Sequence, residues 1–504
     1  MYILRKEGLR LPKDARTLLQ TPRTVHTIEK CGGQYRYYGI ETGLFKLLAR
    51  NPSFRQKNQD IKLIVNIDGV PLFKSTGTQF WPILCSFDKF DPFLVALFYG
   101  ASKPKSVTEF MNDFLEELSS LAEHGISYEE KQFNVALHAF ICDAPARSFL
   151  KCIKGHTGYN ACERCTIKGT YKNNRIHFFS TCSYPLRNDE EFKNLAYQQH
   201  QTGQSPLIYY NIPCVSGFCL DYMHLICLGV VKRMLFYMKQ GPRESECRLS
   251  ARQLAEISEN LLNLSGKFPS EFARQPRSLD ELDRWKATEF RQFLLYSGPI
   301  VLRKVVAENV YEHFLTLSVA VAILLDSNDD KRKAYIDYAD KLLKYFVEGC
   351  KSIYCDFFVS YNVHSLLHIV DDVKKFNCSL NEISAFPFEN HLHGIKRMVR
   401  TAKNPISQVT KRLSEVENFG NHKNYHVFQS KFGNISCRKK DNCFMLYNED
   451  FAFVKEKRDD GKLVCDMVKQ RDAEEYFHLP CPSKFINIVQ IKQRFRSTRQ
   501  LLER

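Results

Sequence analysis

Hydrophobic and polar positions along the chain change period several times, and the changes mark out elements. Ile61–Ile67 is an apolar run broken by one Lys and one Asn, which predicts a strand buried on at least one face. It ends at Asp68 beside Gly69, where the backbone has room to turn. Phe80–Phe87 predicts a second strand, with Pro82 marking a bulge or an edge, and Phe93–Tyr99 a third. Short links between the three predict an antiparallel meander. Val107, Phe110, Met111, Phe114, Leu115, Leu118 and Leu121 then recur at helical spacing behind a Ser106/Glu109 capping pair. Phe133–Cys142 predicts a fourth strand, which ends at Asp143, and Pro145 suits the first position of a following helix.

Upstream, residues 1–60 form a basic, polar lead-in with a short strand near Gln34–Tyr38 and a short helix near Thr42–Ala49. Residues 205–360 read as an all-α insertion, with helices at Leu225–Met238, Leu254–Leu264, Trp285–Gly298 and the apolar Phe314–Leu325. The last is too short an apolar run to span a bilayer. Residues 361–420 return to the first domain, begun at 61–204, and 421–504 form a small β-rich module with a basic tail at Ile491–Arg499. At 504 residues the chain is long enough for two to four domains.

The order β-β-β-α-β-α, with an Asp closing the first strand and another closing the fourth, is that of the ribonuclease H-like fold. The expected fold class is therefore α/β: a ribonuclease H-like mixed sheet interrupted by a large all-α insertion, with a small β-rich C-terminal module. Its first and fourth strands lie side by side, which makes Asp68 and Asp143 neighbours. Two such carboxylates repel unless they share a proton or a cation, and oxygen-only ligands suit Mg²⁺ or Mn²⁺.

Charge and composition extend this picture. With 72 Lys+Arg against 56 Asp+Glu the net charge is +16, which favours a polyanionic partner, nucleic acid first and an anionic membrane surface second. Met1–Arg10 has no apolar core of signal-peptide length, so an intracellular chain with 18 reduced cysteines is expected rather than a disulfide framework. Two of those thiols, Cys162 and Cys165, have the spacing of half a zinc site. His364 and His368, at i and i+4, supply the other half of a closed Cys2His2 centre. Glu389 is a third carboxylate after an apolar run, and Lys396, Arg397, Arg400 and Lys403 follow it with no acidic residue between, where a phosphate backbone would lie. Asp221 and His224, at i and i+3, could share one helical face, either as a cap and a buried histidine or as functional groups.

Taken together, Asp68, Asp143, Cys162-x2-Cys165, His364-x3-His368 and Glu389, in this order around a helical insertion, resemble the cut-and-paste DDE transposases of the CACTA (En/Spm)–Mirage–Chapaev superfamily and the catalytic core of the V(D)J recombinase. Asp221–Lys232 resembles the D-x-M-H segment of CACTA-type enzymes, and Ile67–Ser75 and Phe386–Asn390 also have that look. The match covers roughly residues 30–420. The resemblance implies an endonuclease and strand transferase acting on transposon terminal inverted repeats in the nucleus, as a homodimer or higher oligomer on double-stranded DNA. It assigns two divalent ions to Asp68, Asp143 and Glu389, one structural zinc to the Cys/His set, and no membrane partner. Arg147, one helical turn past Asp143, is by position a candidate phosphate contact. No separate zinc-finger or helix-turn-helix module precedes residue 60, and the alternative is a domesticated nuclear DNA-binding protein that keeps the fold without the chemistry.

Overall fold

The computed structural model describes residues 12, 14–73, 77–179, 183–419, 429–430, 433–435, 440–446, 448–458, 462–491 and 498–502. It is an α/β structure divided into two compact units, one of Met1–Ile176, Cys182–Tyr222 and Asn381–Lys423, the other of His177–Thr181, Met223–Leu380 and Asn424–Arg504.

The first unit is built on a mixed, mostly antiparallel sheet. Its strands are β1 (Ile28–Lys30), β2 (Gly33–Tyr37), β3 (Asp60–Ile67), β4 (Val70–Pro71), β5 (Gln79–Ser86), β6 (Phe93–Gly100), β7 (Ile126–Tyr128), β8 (Lys131–Cys142) and β9 (Phe218–Leu220). The order across the sheet is β1-β2-β6-β5-β3-β8-β9, with β4 on β5 and β7 on β8. Among the described residues, β3–β8 and β8–β9 are the parallel pairs of this sheet. The meander predicted for the three strands after residue 60 is present as β3, β5 and β6. Pro82 lies in an interior strand, and the β5–β6 register shifts just after it, between Ile83 and Leu84, so it marks a bulge rather than an edge.

Helices α1 (Ile40–Arg50), α2 (Val107–His124), α3 (Ala144–Leu150), α4 (Phe386–Met398) and α5 (Pro405–Phe419) belong to the same unit. The α2 face Phe110, Met111, Phe114, Leu115, Leu118 and Leu121 is fully buried in the core shared with Ile61, Leu63, Val65 and Ile67 of β3. Each such side chain contributes roughly 1.5–3 kcal/mol of burial. Ser106 caps α2 by accepting the Glu109 amide at 3.2 Å. Gly125 ends it at φ +67°, where a Cβ would also meet the Phe133 carbonyl at 2.4 Å, so only glycine fits. Pro145 is the second residue of α3 rather than the first, because Asp143 itself is the cap.

Three expected boundaries are corrected. The lead-in is not separate: β2 pairs with β6, and residues before 60 complete the edge of the main sheet. The stretch 205–222 belongs to the sheet unit, since β9 extends it beyond β8, and the helical stretch runs over Met223–Leu380. That stretch includes both His364 and His368, which the sequence placed with the first domain.

The second unit is helical over 223–380. Glu308–Leu325 is long and apolar enough to cross a membrane by length and composition, a longer helix than the apolar run alone suggested, and 72% of it is buried. It packs along the amphipathic Asp329–Ile353. The same unit carries a small antiparallel sheet of Cys443–Met445, Phe451–Lys457, Leu463–Val468 and Thr498–Leu502 around Ala452, Val454, Cys465 and Met467. Of the basic tail, residues 492–497 lie outside the described residues.

Candidate functional site

Adjacent strands of the sheet unit end on carboxylates. The β3–β8 register runs up to Val65 opposite Phe140, and three residues further on each strand stand Asp68 and Asp143. Both carboxylates act on the buried Cys142 thiol: burial pushes it up, and Asp143 and Asp68 add to the rise. Asn66, two residues before Asp68, is buried and donates its Nδ2 to the Ile141 carbonyl at 2.7 Å, fastening the two strand ends together. A Cβ on Gly69 would lie 3.1 Å from the Trp81 indole, so the turn after Asp68 packs directly on that ring. Asp143 caps α3 through Oδ1, which accepts the Ala146 amide at 2.7 Å. This cap occupies one carboxylate oxygen.

A third strand repeats the pattern. In the β8–β9 register Leu220 lies opposite Cys142, so Asp221 follows β9 where Asp143 follows β8. Asp221 is fully buried, and one oxygen accepts the Ala385 amide at 2.7 Å, at the entrance of α4. The expectation that Asp221 and His224 share a helical face is not met. Asp221 precedes the helix, while His224 lies within a π-helical stretch, Met223–Val231.

Glu389 sits in the first turn of α4 and is exposed. The α4 helix is held to the strands at a second point, where the Lys396 ammonium donates to the Pro71 carbonyl of β4. Lys396, Arg397, Arg400 and Lys403 are all exposed. Among the described residues, Asp68, Asp143 and Glu389 do not form a set whose oxygens all lie within 4.8 Å of one another. The structure thus pairs Asp68 with Asp143 as strand neighbours and leaves Glu389 displayed on its helix.

Arg147 corrects the expected phosphate contact. It is 3% exposed, its Nε donates to both Glu163 oxygens at 3.0 and 3.2 Å, and Nη1 donates to the Cys142 carbonyl at 2.6 Å. One helical turn past Asp143 points into the protein rather than to solvent.

Glu163 leads to the thiols. It lies between Cys162 and Cys165 and also accepts the buried Lys151 ammonium at 2.5 Å. Its neighbour Arg164 donates to the carbonyls of Val215 and Phe218, at the start of β9. The two charged residues inside the C-x-x-C therefore dock it on α3 with one side chain and on β9 with the other. A C-x-x-C motif draws attention to its cysteines, and these intervening residues were missed. The readable signal was Arg147 and Lys151 at i and i+4 upstream of a charged C-E-R-C.

The turn is shaped for thiolates. Cys162 Sγ receives the Arg164 and Cys165 amides at 3.5 and 3.3 Å and lies 3.5 Å from Cys165 Sγ. That sulfur contact, the Ile167 amide and the Arg187 guanidinium hold the Cys165 thiol below its ordinary range, against the effect of burial. In the helical unit His364 and His368 are buried, with Nε2 atoms 3.3 Å apart. His364 lies in the short helix Tyr361–Ser365 and His368 closes the 3₁₀ turn Leu366–His368 that follows it, and the i, i+4 spacing does aim the two rings together. Two buried thiols and two buried imidazoles make a set that could hold a metal ion such as zinc.

His200 braces the approach to the thiols. It is 1% exposed, and its Nδ1 must carry the proton, because the partner at 2.7 Å is the Asn160 carbonyl, which can only accept. Burial, helped by the Arg187 charge, lowers its pKa from 6.5 to about 4. The unfolded chain therefore takes up this proton first as pH falls. Stability from this group is complete above about 6.5 and is lost on the way to 4, by roughly 3 kcal/mol at most. Denaturant titrations at pH 7, 5.5 and 4 should show that loss, and His200→Asn, which keeps a donor without titrating, should remove most of it. Equal acid sensitivity in the variant would assign the effect elsewhere.

Comparison with protein-family models and with curated proteins finds no match. The resemblance drawn from the motifs therefore stands or falls on residues and geometry.

Proposed function

We propose that the first unit is a ribonuclease H-like catalytic core and that the protein is a DDE-type DNA transposase, cutting and joining DNA at transposon ends. The observation that carries the reading is the register: Asp68 and Asp143 leave adjacent parallel strands side by side. The strand order, a three-stranded antiparallel meander followed by two parallel strands, supports the fold assignment.

Asp68, Asp143 and Glu389 would hold divalent cations, Mg²⁺ or Mn²⁺. Bound there, such ions activate an attacking hydroxyl and stabilise the leaving oxygen of an in-line displacement at phosphorus. Within the chain, the α3 cap fixes the Asp143 carboxylate through one oxygen and leaves the other to coordinate. Asn66 keeps the two strand ends in step, and the exposed Lys396, Arg397, Arg400 and Lys403 offer charge to a duplex backbone beyond Glu389. Arg147, buried against Glu163, is not counted among these contacts.

The second metal in this reading is one zinc closed by Cys162, Cys165, His364 and His368, a Cys2His2 donor set. Its role is structural.

Supercoiled plasmid incubated with the purified full chain in Mn²⁺ tests the proposal. Nicking is expected in the wild type and a loss of at least about 100-fold in each of Asp68→Ala, Asp143→Ala and Glu389→Ala. Nicking that survives all three changes would sink it. A wild-type protein that binds DNA without cutting it would favour the domesticated DNA-binding alternative.

A further inference from the structure

We propose that Asp221 is a positioning residue that aims Glu389 at the paired aspartates. This rests on the reading of Glu389 as the third metal-binding carboxylate.

Four observations lead to it. Asp221 is in register with Asp143, at the same edge of the sheet as Asp68. It is 0% exposed, a costly place for a carboxylate unless its hydrogen bonds are specific. The bond it accepts comes from Ala385, 164 residues away and the cap position of α4. Ala385 brings no capping side chain of its own, where Ser, Thr, Asp or Asn is the usual choice. The adjoining amides are otherwise settled: Phe386 donates to Ser384 Oγ at 3.5 Å, and Pro387 has no N–H. Asp221 thus caps the start of α4 from a distant strand.

The geometry of the helix turns the cap into an aiming device. Ala385 and Glu389 are four residues apart, so they lie on one face, one turn from each other. The face that Asp221 ties to the sheet edge is therefore the face carrying Glu389. Tyr222, next to Asp221, sets its ring 5.9 Å from that of Phe386, and the Lys396–Pro71 hydrogen bond holds the helix further along. Two attachment points fix both the tilt and the roll of α4, and with them where the Glu389 carboxylate can reach.

The test uses the full chain, Mn²⁺ and supercoiled plasmid, with Asp221→Ala, Asp221→Asn, Glu389→Ala and the Asp221→Ala/Glu389→Ala double variant. Asp221→Ala should lower the nicking rate at saturating DNA by about 10- to 100-fold and raise the Mn²⁺ concentration needed, with the DNA dependence unchanged. Asp221→Asn keeps an oxygen for the Ala385 amide and should recover most of the loss. The double variant should be no slower than Glu389→Ala alone, because the tether acts only through that residue. Hydrogen exchange in Asp221→Ala should quicken at the amides of residues 385, 386 and 388–390 and stay unchanged in β3 and β8. Additive losses, an Asn variant as poor as Ala, or exchange that quickens across the whole sheet would each overturn the proposal. Absence of nicking in the wild type would overturn the catalytic reading itself, and the role of Asp221 with it.

Discussion

Removing the metal from the proposed zinc centre, by a strong chelator or by Cys162→Ser, is expected to cost more stability than any single change elsewhere. Structural zinc sites in small domains contribute on the order of 10 kcal/mol of apparent binding free energy, and that energy is folding energy wherever the ligands are not assembled beforehand. Cys162 and Cys165 are buried sulfurs 3.5 Å apart, and the His364 and His368 Nε2 atoms face each other at 3.3 Å. Two of these atoms can share a proton in each pair, but a cation satisfies all of them at once. Elemental analysis should find about one zinc per chain in the wild type and almost none in Cys162→Ser. Calorimetry should show a large drop in melting temperature on chelation. A protein that contains no zinc as purified, or that melts at the same temperature after chelation, would remove the centre from consideration.

The second large effect is expected at Glu163→Gln. Glu163 is shared by two buried cations, Arg147 and Lys151, whose side chains are 4% and 1% exposed. Burial already pushes the Lys151 ammonium toward losing its proton, and Glu163 opposes this. Removing the anion leaves charge without compensation, and breaking such a buried pair costs about 3–5 kcal/mol. Because Glu163 sits between the two cysteines, zinc retention should weaken in parallel. Replacing all three partners together, as Arg147→Met, Lys151→Met and Glu163→Leu, should recover most of the loss, since no bare charge is then buried. Denaturant midpoints of the single and triple variants decide the matter. A Glu163→Gln protein within about 0.5 kcal/mol of the wild type would show that water reaches the cluster.

How much of this was legible beforehand depends on length. Strands β3, β5, β6 and β8 and helix α2 each carry enough residues for a period to repeat, and their apolar patterns identified them. Strand β9 has three residues, Phe218–Leu220, too few for any period, so the edge of the sheet was assigned to the insertion. The carboxylates at Asp68 and Asp143 could be paired from strand order. The direction of Arg147 could not, because a helical position states which residues share a face and leaves open which face is inside. Asp221 was visible as a member of a motif, but its partner Ala385 is 164 residues on and has a side chain with no chemistry to notice. The β1–β2 contribution was hidden by polar composition: only Tyr35 of β2 is buried, so the strand is held by its pairing to β6 more than by its side chains.

The bond between Asp221 and Ala385 also sets an order of events during synthesis. A ribosome adding roughly 5–20 residues per second makes Ala385 about 8–30 s after Asp221. Throughout that interval the strands carrying Asp68 and Asp143 are already made, while the helix bearing Glu389 does not yet exist. A chain still being translated, or one ended early by a stop codon within the helical stretch, holds two of the three carboxylates proposed to bind metal and lacks the third. On the proposed chemistry, such incomplete chains are unable to cut DNA.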